Sequence, residues 1–251
     1  MPLVTTPATV LKTYEYSETS KILRLLTRDQ GLCSVIAKGA RRPKSRYGGL
    51  LEPFTDGIAT FYSKEGRELH TLSDFEMLRE RQSLGRELVR FAGGGLLTEI
   101  VLRVAPAARD PDLFDQLGRG LDRLVGESAN VETAILEETW RLIERLGFAP
   151  HIERCSLCGN QPLSDRTVHF DLLEGGIACE DCRHEAKGLH LRSLTPAAMA
   201  ELAALLAGTA IQARRLETAR AQRDLLRDFI AYHVAEHRPL NSFRFLDERL
   251  R

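Results

Sequence analysis

The sequence has no apolar run approaching the roughly 18 residues that a membrane-spanning helix needs. Its first residues, Met1-Pro2-Leu3-Val4-Thr5, also lack the basic segment and apolar stretch of an export signal. Both absences point to the cytoplasm and exclude a membrane as partner. Net charge is lacking as well: 35 basic residues balance 35 acidic ones. A hold on any polyanion must therefore come from local clustering of charge. Aromatic residues make up only 6% of the chain, too few for a surface built mainly on ring stacking. There are five cysteines, and without an export signal they do not read as a disulfide framework. No nucleophile–base constellation, Walker loop, paired-acid motif or open metal site stands in the sequence, which points to a non-catalytic protein.

The 43% apolar content is enough for a real core, and the chain is long enough for one large domain or two ordinary ones. Residues from about 8 to 75 read as β. Ala8–Tyr16, Ile22–Thr27, Leu32–Ala37, Phe54–Ser63 and Glu68–Ser73 carry the β-branched and aromatic residues of short strands. Turn chemistry separates them at Glu18-Thr19-Ser20, Asp29-Gln30-Gly31 and Lys64-Glu65-Gly66-Arg67. Five short strands without a helical crossover predict a small antiparallel barrel, and the OB-fold is the five-stranded form that binds nucleic acid.

The pattern turns helical from about residue 80. The charged stretch Arg79-Glu80-Arg81-Gln82-Ser83 reads as a surface connection. Leu84–Ala105 is one long helical candidate carrying Gly93-Gly94-Gly95, so either the helix breaks there or a neighbour packs very closely. Asp110-Pro111, Asn130 and Thr195-Pro196 are helix starts, and Ser242 is placed to cap a last short helix. Val131, Ile135, Leu142 and Leu146 form the apolar face of the helix that begins at Asn130, and a long helix is predicted over Ile211–Glu236. The expected fold class is multidomain α+β. An OB-fold barrel at residues 1–80 precedes a helical domain at 81–251, with a metal-binding insertion at about 150–190.

Cys155-x-x-Cys158 and Cys179-x-x-Cys182 are separated by 20 residues. Each pair forms a knuckle that aims two thiolates at one ion, and the spacing falls in the zinc-ribbon range. Gly159 permits the tight turn after Cys158. Four thiolates close the coordination shell, so one Zn2+ held there is structural. His151, His169, His184 and His190 lie near enough to replace a thiolate, and free or redox-active thiols are the plain alternative. Cys33, inside a predicted strand, reads as a small buried residue.

Between residues 38 and 46 the sequence is K-G-A-R-R-P-K-S-R, with five cations and no anion. Lys38, Arg41, Arg42, Lys44 and Arg46 are candidate phosphate ligands, and Arg24 and Arg28 extend the cluster. A solvated loop explains the same residues without a ligand. Tyr14, Tyr16, Tyr47, Phe54, Phe61 and Tyr62 are candidate stacking residues, most of them expected in the core. Arg220, Arg223 and Arg227 recur at helical spacing as further DNA-binding candidates, but ion pairs with Asp224 and Asp228 account for the same pattern.

Four stretches together resemble the bacterial RecO recombination mediator family. They are AKGARRPKSRYGGLLEPF at 37–54, LLTEIV at 96–101, LGFAPHIERCSLCG at 146–159 and RPLNSFRFL at 238–246. The resemblance implies an N-terminal OB-fold and a helical domain with an inserted zinc ribbon. It places the family's basic loop on Lys38, Arg41, Arg42, Lys44 and Arg46. It further implies a DNA repair and recombination protein that binds single- and double-stranded DNA and anneals complementary strands. RecR and single-stranded-DNA-binding protein are its implied partners, so that RecA is loaded onto coated DNA at the nucleoid. The contact with the acidic tail of single-stranded-DNA-binding protein would lie in the helical domain. A different class of protein also fits barrel and ribbon: a non-enzymatic adaptor that binds protein or RNA.

Overall fold

The computed structural model describes residues 2–63, 66–106, 108–126, 130–185, 190–209, 216–234 and 239–250. Five strands come first: β1 (Leu3–Glu15), β2 (Lys21–Thr27), β3 (Gly31–Ala37), β4 (Asp56–Tyr62) and β5 (Leu69–Arg79). They close into a barrel in the order β1-β2-β3-β5-β4, the OB arrangement. Alternation drives closure. Leu23, Leu25, Cys33, Val35 and Ala37 point inward with Ala8, Val10, Ala59, Phe61, Leu72 and Phe75, and the residues between them point out. Each large apolar side chain withdrawn from water contributes roughly 1.5–3 kcal/mol.

The barrel departs from the sequence expectation in one respect. It is not wholly antiparallel: β3 and β5 run parallel over Ser34–Ile36 and Leu69–Thr71. A parallel pair needs a long connection, and the 38–55 loop together with β4 supplies it. Of the expected turn residues, Lys64 and Glu65 lie outside the described residues.

Two compact units divide the chain at Val125, away from the end of the barrel at Arg79. The first unit adds a 3₁₀ turn at Gln82–Arg86 and helices α1 (Leu88–Val104) and α2 (Pro111–Val125). The triple glycine does not break α1. Gly93 and Gly94 are buried, and a Cβ on Gly94 would stand 3.2 Å from Cζ of Phe54 and 3.5 Å from Leu121. The close neighbour is thus Phe54, held at φ 71°. Asp110 caps α2, accepting from the Leu113 N–H at 3.0 Å.

The stretch read as a surface connection contains a buried cation. Arg81, 3% exposed, donates to Asp56 at 2.7 Å, Asp122 at 2.8 Å and the Phe54 carbonyl at 2.8 Å. A buried guanidinium is tolerable only when so many acceptors surround it.

In the second unit α3 (Val131–Arg145) starts at Asn130, whose side chain accepts from the Glu132 and Thr133 N–H groups. The helix is buried almost all round and not along one stripe, since Glu132, Glu137 and Glu138 are inside while Val131 and Leu146 are half-exposed. Arg141 pairs with Glu137 at 2.5 Å and with Glu138 at 2.7 Å, which explains how these carboxylates can be inside. Strands β6 (His151–Cys155), β7 (Val168–Asp171), β8 (Gly176–Cys179) and β9 (Leu191–Leu194) make a sheet in the order β6-β8-β7-β9. Trp140 of α3 and Phe170 of β7 both pack on Phe229, with centroids 5.1 and 6.0 Å away.

Helix α4 (Pro196–Ala207) is capped by Thr195 and ends at Gly208, φ 62°. The long helix expected over 211–236 is described only as α5 (Ala219–Phe229), continued by a π-turn at Ile230–Val234. Leu216, Glu217 and Thr218 are described and not helical, so no continuous helix runs over 211–236; residues 211–215 and 235–236 lie outside the described residues. Helix α6 (Asn241–Arg249) begins one residue ahead of Ser242, so that serine sits inside the helix and is not its cap. No described helix is long and apolar enough to cross a membrane.

Candidate nucleic-acid interface and metal centre

The loop between β3 and β4 is not a floppy excursion. Ala40, Tyr47 and Leu51 turn inward and join the barrel core, and Tyr47 is only 2% exposed. Successive tight turns shape the backbone: Arg42 N–H donates to the Gly39 carbonyl, Ser45 to Arg42, Gly48 to Ser45 and Leu50 to Tyr47. Gly39 (φ 74°) supplies the left-handed residue this winding requires. With the apolar residues committed to the core, the polar ones face out.

All five loop cations are exposed, but they differ in what they touch. Arg41 pairs with Glu15 at 3.1 Å and donates to the Ser17 carbonyl at 2.9 Å, while its backbone N–H donates to the Thr19 carbonyl at 3.1 Å. It ties the loop to the β1–β2 turn. Arg46 lies 4.9 Å from the Tyr47 ring centroid and donates to the Tyr47 hydroxyl and the Ser73 carbonyl. Lys38, Arg42 and Lys44 meet no acidic partner among the described residues. Ser45 Oγ accepts from the Tyr47 N–H at 3.2 Å.

The outlying cations fare unevenly. Arg24 is half-buried on β2 and donates to Ser34 Oγ at 3.0 Å. Arg28 pairs with Asp115 at 2.9 Å. Arg223 is 8% exposed, pairs with Glu132, and lies 3.5 Å from Asp247, so it faces the interior of its unit. Arg227 is shared among Asp224, Asp228 and Asp247. Arg220 has an 89% exposed side chain and stands 4.0 Å from Asp224. The three arginines thus form no common cationic stripe. Among the candidate stacking rings Tyr47, Phe54 and Phe61 are buried, whereas Tyr14, Tyr16 and Tyr62 are exposed. Lys12, which sequence reasoning missed, lies 5.2 Å from the Tyr14 ring centroid.

The four paired cysteines converge. Their Sγ atoms all lie within 4.8 Å of one another, and Cys158 Sγ is 3.9 Å from Cys179 Sγ. A tetrahedral metal–thiolate site with bonds of about 2.3 Å has sulfur atoms about 3.8 Å apart, so the residues fit such an ion. Cys155 ends β6 and Cys179 ends β8, and the parallel pairing of these strands brings the two knuckles together. Gly159 adopts φ 73° and donates to the Cys155 carbonyl at 2.9 Å, closing the first knuckle. Burial raises the Cys155 thiol, but N–H groups of Cys158, Cys179 and Leu157 outweigh it and bring its pKa down to about 6. Hydrogen bonding with Cys179 and Cys158 pushes the Cys182 thiol up.

The nearby histidines stay out of this cluster. His169 is buried, with Nε2 2.7 Å from Glu180 Oε2 and Nδ1 3.2 Å from Ser193 Oγ. The first of these contacts holds the Glu180 carboxyl below its usual range. His151 and His184 are exposed, and His190 packs beside Tyr232. Cys33 is in the barrel core, where burial pushes its thiol up to about 12.

A closed OB barrel with an outward-facing basic loop, followed by helices and a four-cysteine cluster that could hold a metal ion, defines a modular OB-fold protein. Comparison with known proteins narrows it. The family described as recombination protein O N terminal matches residues 1–81, and that described as recombination protein O C terminal matches residues 85–242. A DNA repair protein RecO of Rubrobacter xylanophilus is 32% identical over 95% of this chain and 94% of its own length. Those of Nocardioides sp. and Anaeromyxobacter dehalogenans are 31% and 33% identical, covering 96% and 95% of this chain and 97% and 94% of their own. The chain belongs to the recombination protein O family.

Proposed function

We propose that the protein is a DNA repair and recombination mediator that acts by binding and not by catalysis. It grips the sugar-phosphate chain of single- and double-stranded DNA with little sequence preference. The observation that carries this reading is the trio Lys38, Arg42 and Lys44, presented outward on a loop whose apolar residues are anchored in the barrel. Arg41 and Arg46 add charge at the edges of the same surface. Cations that neutralise phosphates release condensed counterions, and this term is indifferent to sequence. Annealing follows when two complementary strands are neutralised on one protein and their mutual repulsion falls. Membership of the recombination protein O family supports the cellular role, in which the protein works with RecR to load RecA onto DNA coated by single-stranded-DNA-binding protein, in the cytoplasm at the nucleoid.

The barrel, residues 1–80, is the DNA-binding part in this reading, and the helical part, 81–251, carries the ribbon insertion at about 150–190. Cys155, Cys158, Cys179 and Cys182 would hold one Zn2+. The ion would supply cross-linking of the two knuckles, with no position open for a catalytic water.

The test is a titration of single-stranded and duplex DNA at several salt concentrations with the K38A/R42A/K44A variant. The slope of log affinity against log salt should become shallower by about 0.7–0.9 for each phosphate that the variant no longer neutralises. Strand annealing should slow in parallel. An unchanged slope removes the loop from the site.

A further inference from the structure

The four paired cysteines are not equivalent. Cys155 and Cys182 are buried and pack with Ala178, Cys179 is half-buried, and Cys158 is exposed. Cys158 lies in an exposed turn over Ser156–Asn160, beside Leu157 at 45% exposure. A reagent dissolved in water therefore meets Cys158 before the other three sulfurs. Across the two knuckles, Cys158 Sγ stands 3.9 Å from Cys179 Sγ. A disulfide is about 2 Å long, so these two sulfurs need to close by about 2 Å to bond.

The sheet holds the two knuckles unequally. β8, which ends at Cys179, is paired residue for residue with β7, and β7 with β9. This part of the sheet is fastened by Phe170 against Phe229, by the Arg192–Asp228 pair at 2.6 Å, and by His233 Nε2, which lies 2.7 Å from the Leu172 carbonyl oxygen. β6, which ends at Cys155, has that cysteine as its one buried residue. It meets β8 at two register positions with an irregularity between them. Cys179 is thus on the fastened side, and the knuckle carrying Cys158 is the side with freedom to close the gap.

Resting on the metal reading proposed above, we propose that Cys158 is an oxidative modification site, at which a two-electron oxidant of the peroxide class turns Cys158 and Cys179 from metal ligands into a disulfide between the knuckles. A metal-bound thiol is already deprotonated. The Cys158 thiolate attacks one peroxide oxygen: an S–O bond forms, the O–O bond breaks and hydroxide leaves, so sulfur is oxidised to a sulfenic acid and peroxide is reduced. The Cys179 thiolate then attacks that sulfur: the S–S bond forms, the S–O bond breaks and a second hydroxide leaves. Two solvent protons convert both hydroxides to water. Cys155 and Cys182 alone are too few to hold the ion in a closed tetrahedral shell. The disulfide takes over the cross-link that the ion supplied, so the ribbon keeps its two knuckles together without metal and accepts metal again after reduction.

The test treats the full-length, Zn2+-loaded protein with limiting hydrogen peroxide. A chromophoric chelator should report release of about one Zn2+ per chain. Peptide mapping without reduction should find Cys158 joined to Cys179, with Cys33, buried in the barrel core, still a free thiol. A phosphine reductant followed by fresh Zn2+ should restore the loaded protein. The oxidised protein should melt above the reduced, chelator-stripped protein, since a cross-link remains. In C179S, where the sulfenic acid has lost its partner, dimedone should label Cys158. Disulfides within either knuckle, a dimedone adduct on another cysteine, or retention of the ion after oxidation overturn the proposal, and the mapping of the wild-type protein decides it even where C179S does not fold. A reduced protein that takes up no Zn2+ before peroxide is added overturns the metal reading instead, so the two failures are distinguishable.

Discussion

Gly94 lies beneath the ring of Phe54, where a Cβ would approach Cζ to 3.2 Å and Cε1 to 3.3 Å. Both sides of this contact are constrained. Phe54 sits at φ 71°, donates through its N–H to the Val10 carbonyl and accepts from Arg81 through its own. Its backbone is held at both polar groups. In an exposed helix, glycine to alanine would gain about 1 kcal/mol; here the gain is set against a contact tighter than van der Waals distance. Gly94→Val, with two further carbons, should destabilise the first unit by about 1–3 kcal/mol. Urea unfolding followed by circular dichroism measures it. Wild-type stability in this variant would show that α1 can shift away from the barrel.

Such contacts define what the sequence could and could not announce. The strands were legible because their alternation and turn residues are local, and the four cysteines were legible because spacing alone sets a knuckle. Arg81 was not. Its stretch of charged residues has the composition of a surface link, and its burial depends on Asp56 and Asp122, which lie far along the chain. Arg223 shared a helical spacing with Arg220 and Arg227, but spacing does not say which side of a helix faces carboxylates. The parallel β3–β5 pair needed knowledge of which strands become neighbours, which no local pattern encodes.

Metal loading should depend on pH in a defined direction. A metal competes with protons for the thiolates, so affinity rises with pH. Cys155 gives up its proton near pH 6, while Cys182 holds its proton above the ordinary range. Moving from about pH 7.5 to about pH 5.5 should therefore weaken metal binding steeply, because Cys155 also becomes protonated in that interval. Competition with a chromophoric chelator at the two pH values reads this directly. Removing the metal at neutral pH should lower the melting temperature, because an ion bound only in the folded state stabilises it. A melting curve indifferent to chelation would remove the ion from the fold.

Glu15 restrains the basic loop. Its carboxylate, 72% exposed, pairs with Arg41 at 3.1 Å and adds a negative charge where phosphates would approach. Glu15→Gln should release the Arg41 guanidinium and tighten DNA binding by about two- to fivefold at low salt, with the advantage fading as salt screens the surface. Stability should change little, as exposed pairs contribute only about 0–1 kcal/mol. If the variant bound DNA more weakly, the pair would be needed to hold the loop in its binding shape. Arg41 would then be a positioning residue and not a phosphate ligand.

Arg220 and Arg223 lie less than one helical turn apart and should behave oppositely. The Arg223 side chain is 10% exposed and bridges Glu132 of α3 to Asp247 of α6, whose carboxylates are 12% and 16% exposed. Arg223→Ala leaves Glu132 without this cation and Asp247 with Arg227, and breaking a buried pair in this way costs about 3–5 kcal/mol. The Arg220 side chain is 89% exposed and stands 4.0 Å from Asp224. Arg220→Ala should leave the melting temperature within about a degree of wild type. Thermal unfolding of the two variants, paired with DNA titration well below the transition, separates stability from binding. Arg223→Ala should lose DNA affinity only to the extent that it unfolds; a folded variant with weakened affinity would restore Arg223 to the DNA surface, against its burial between two acids.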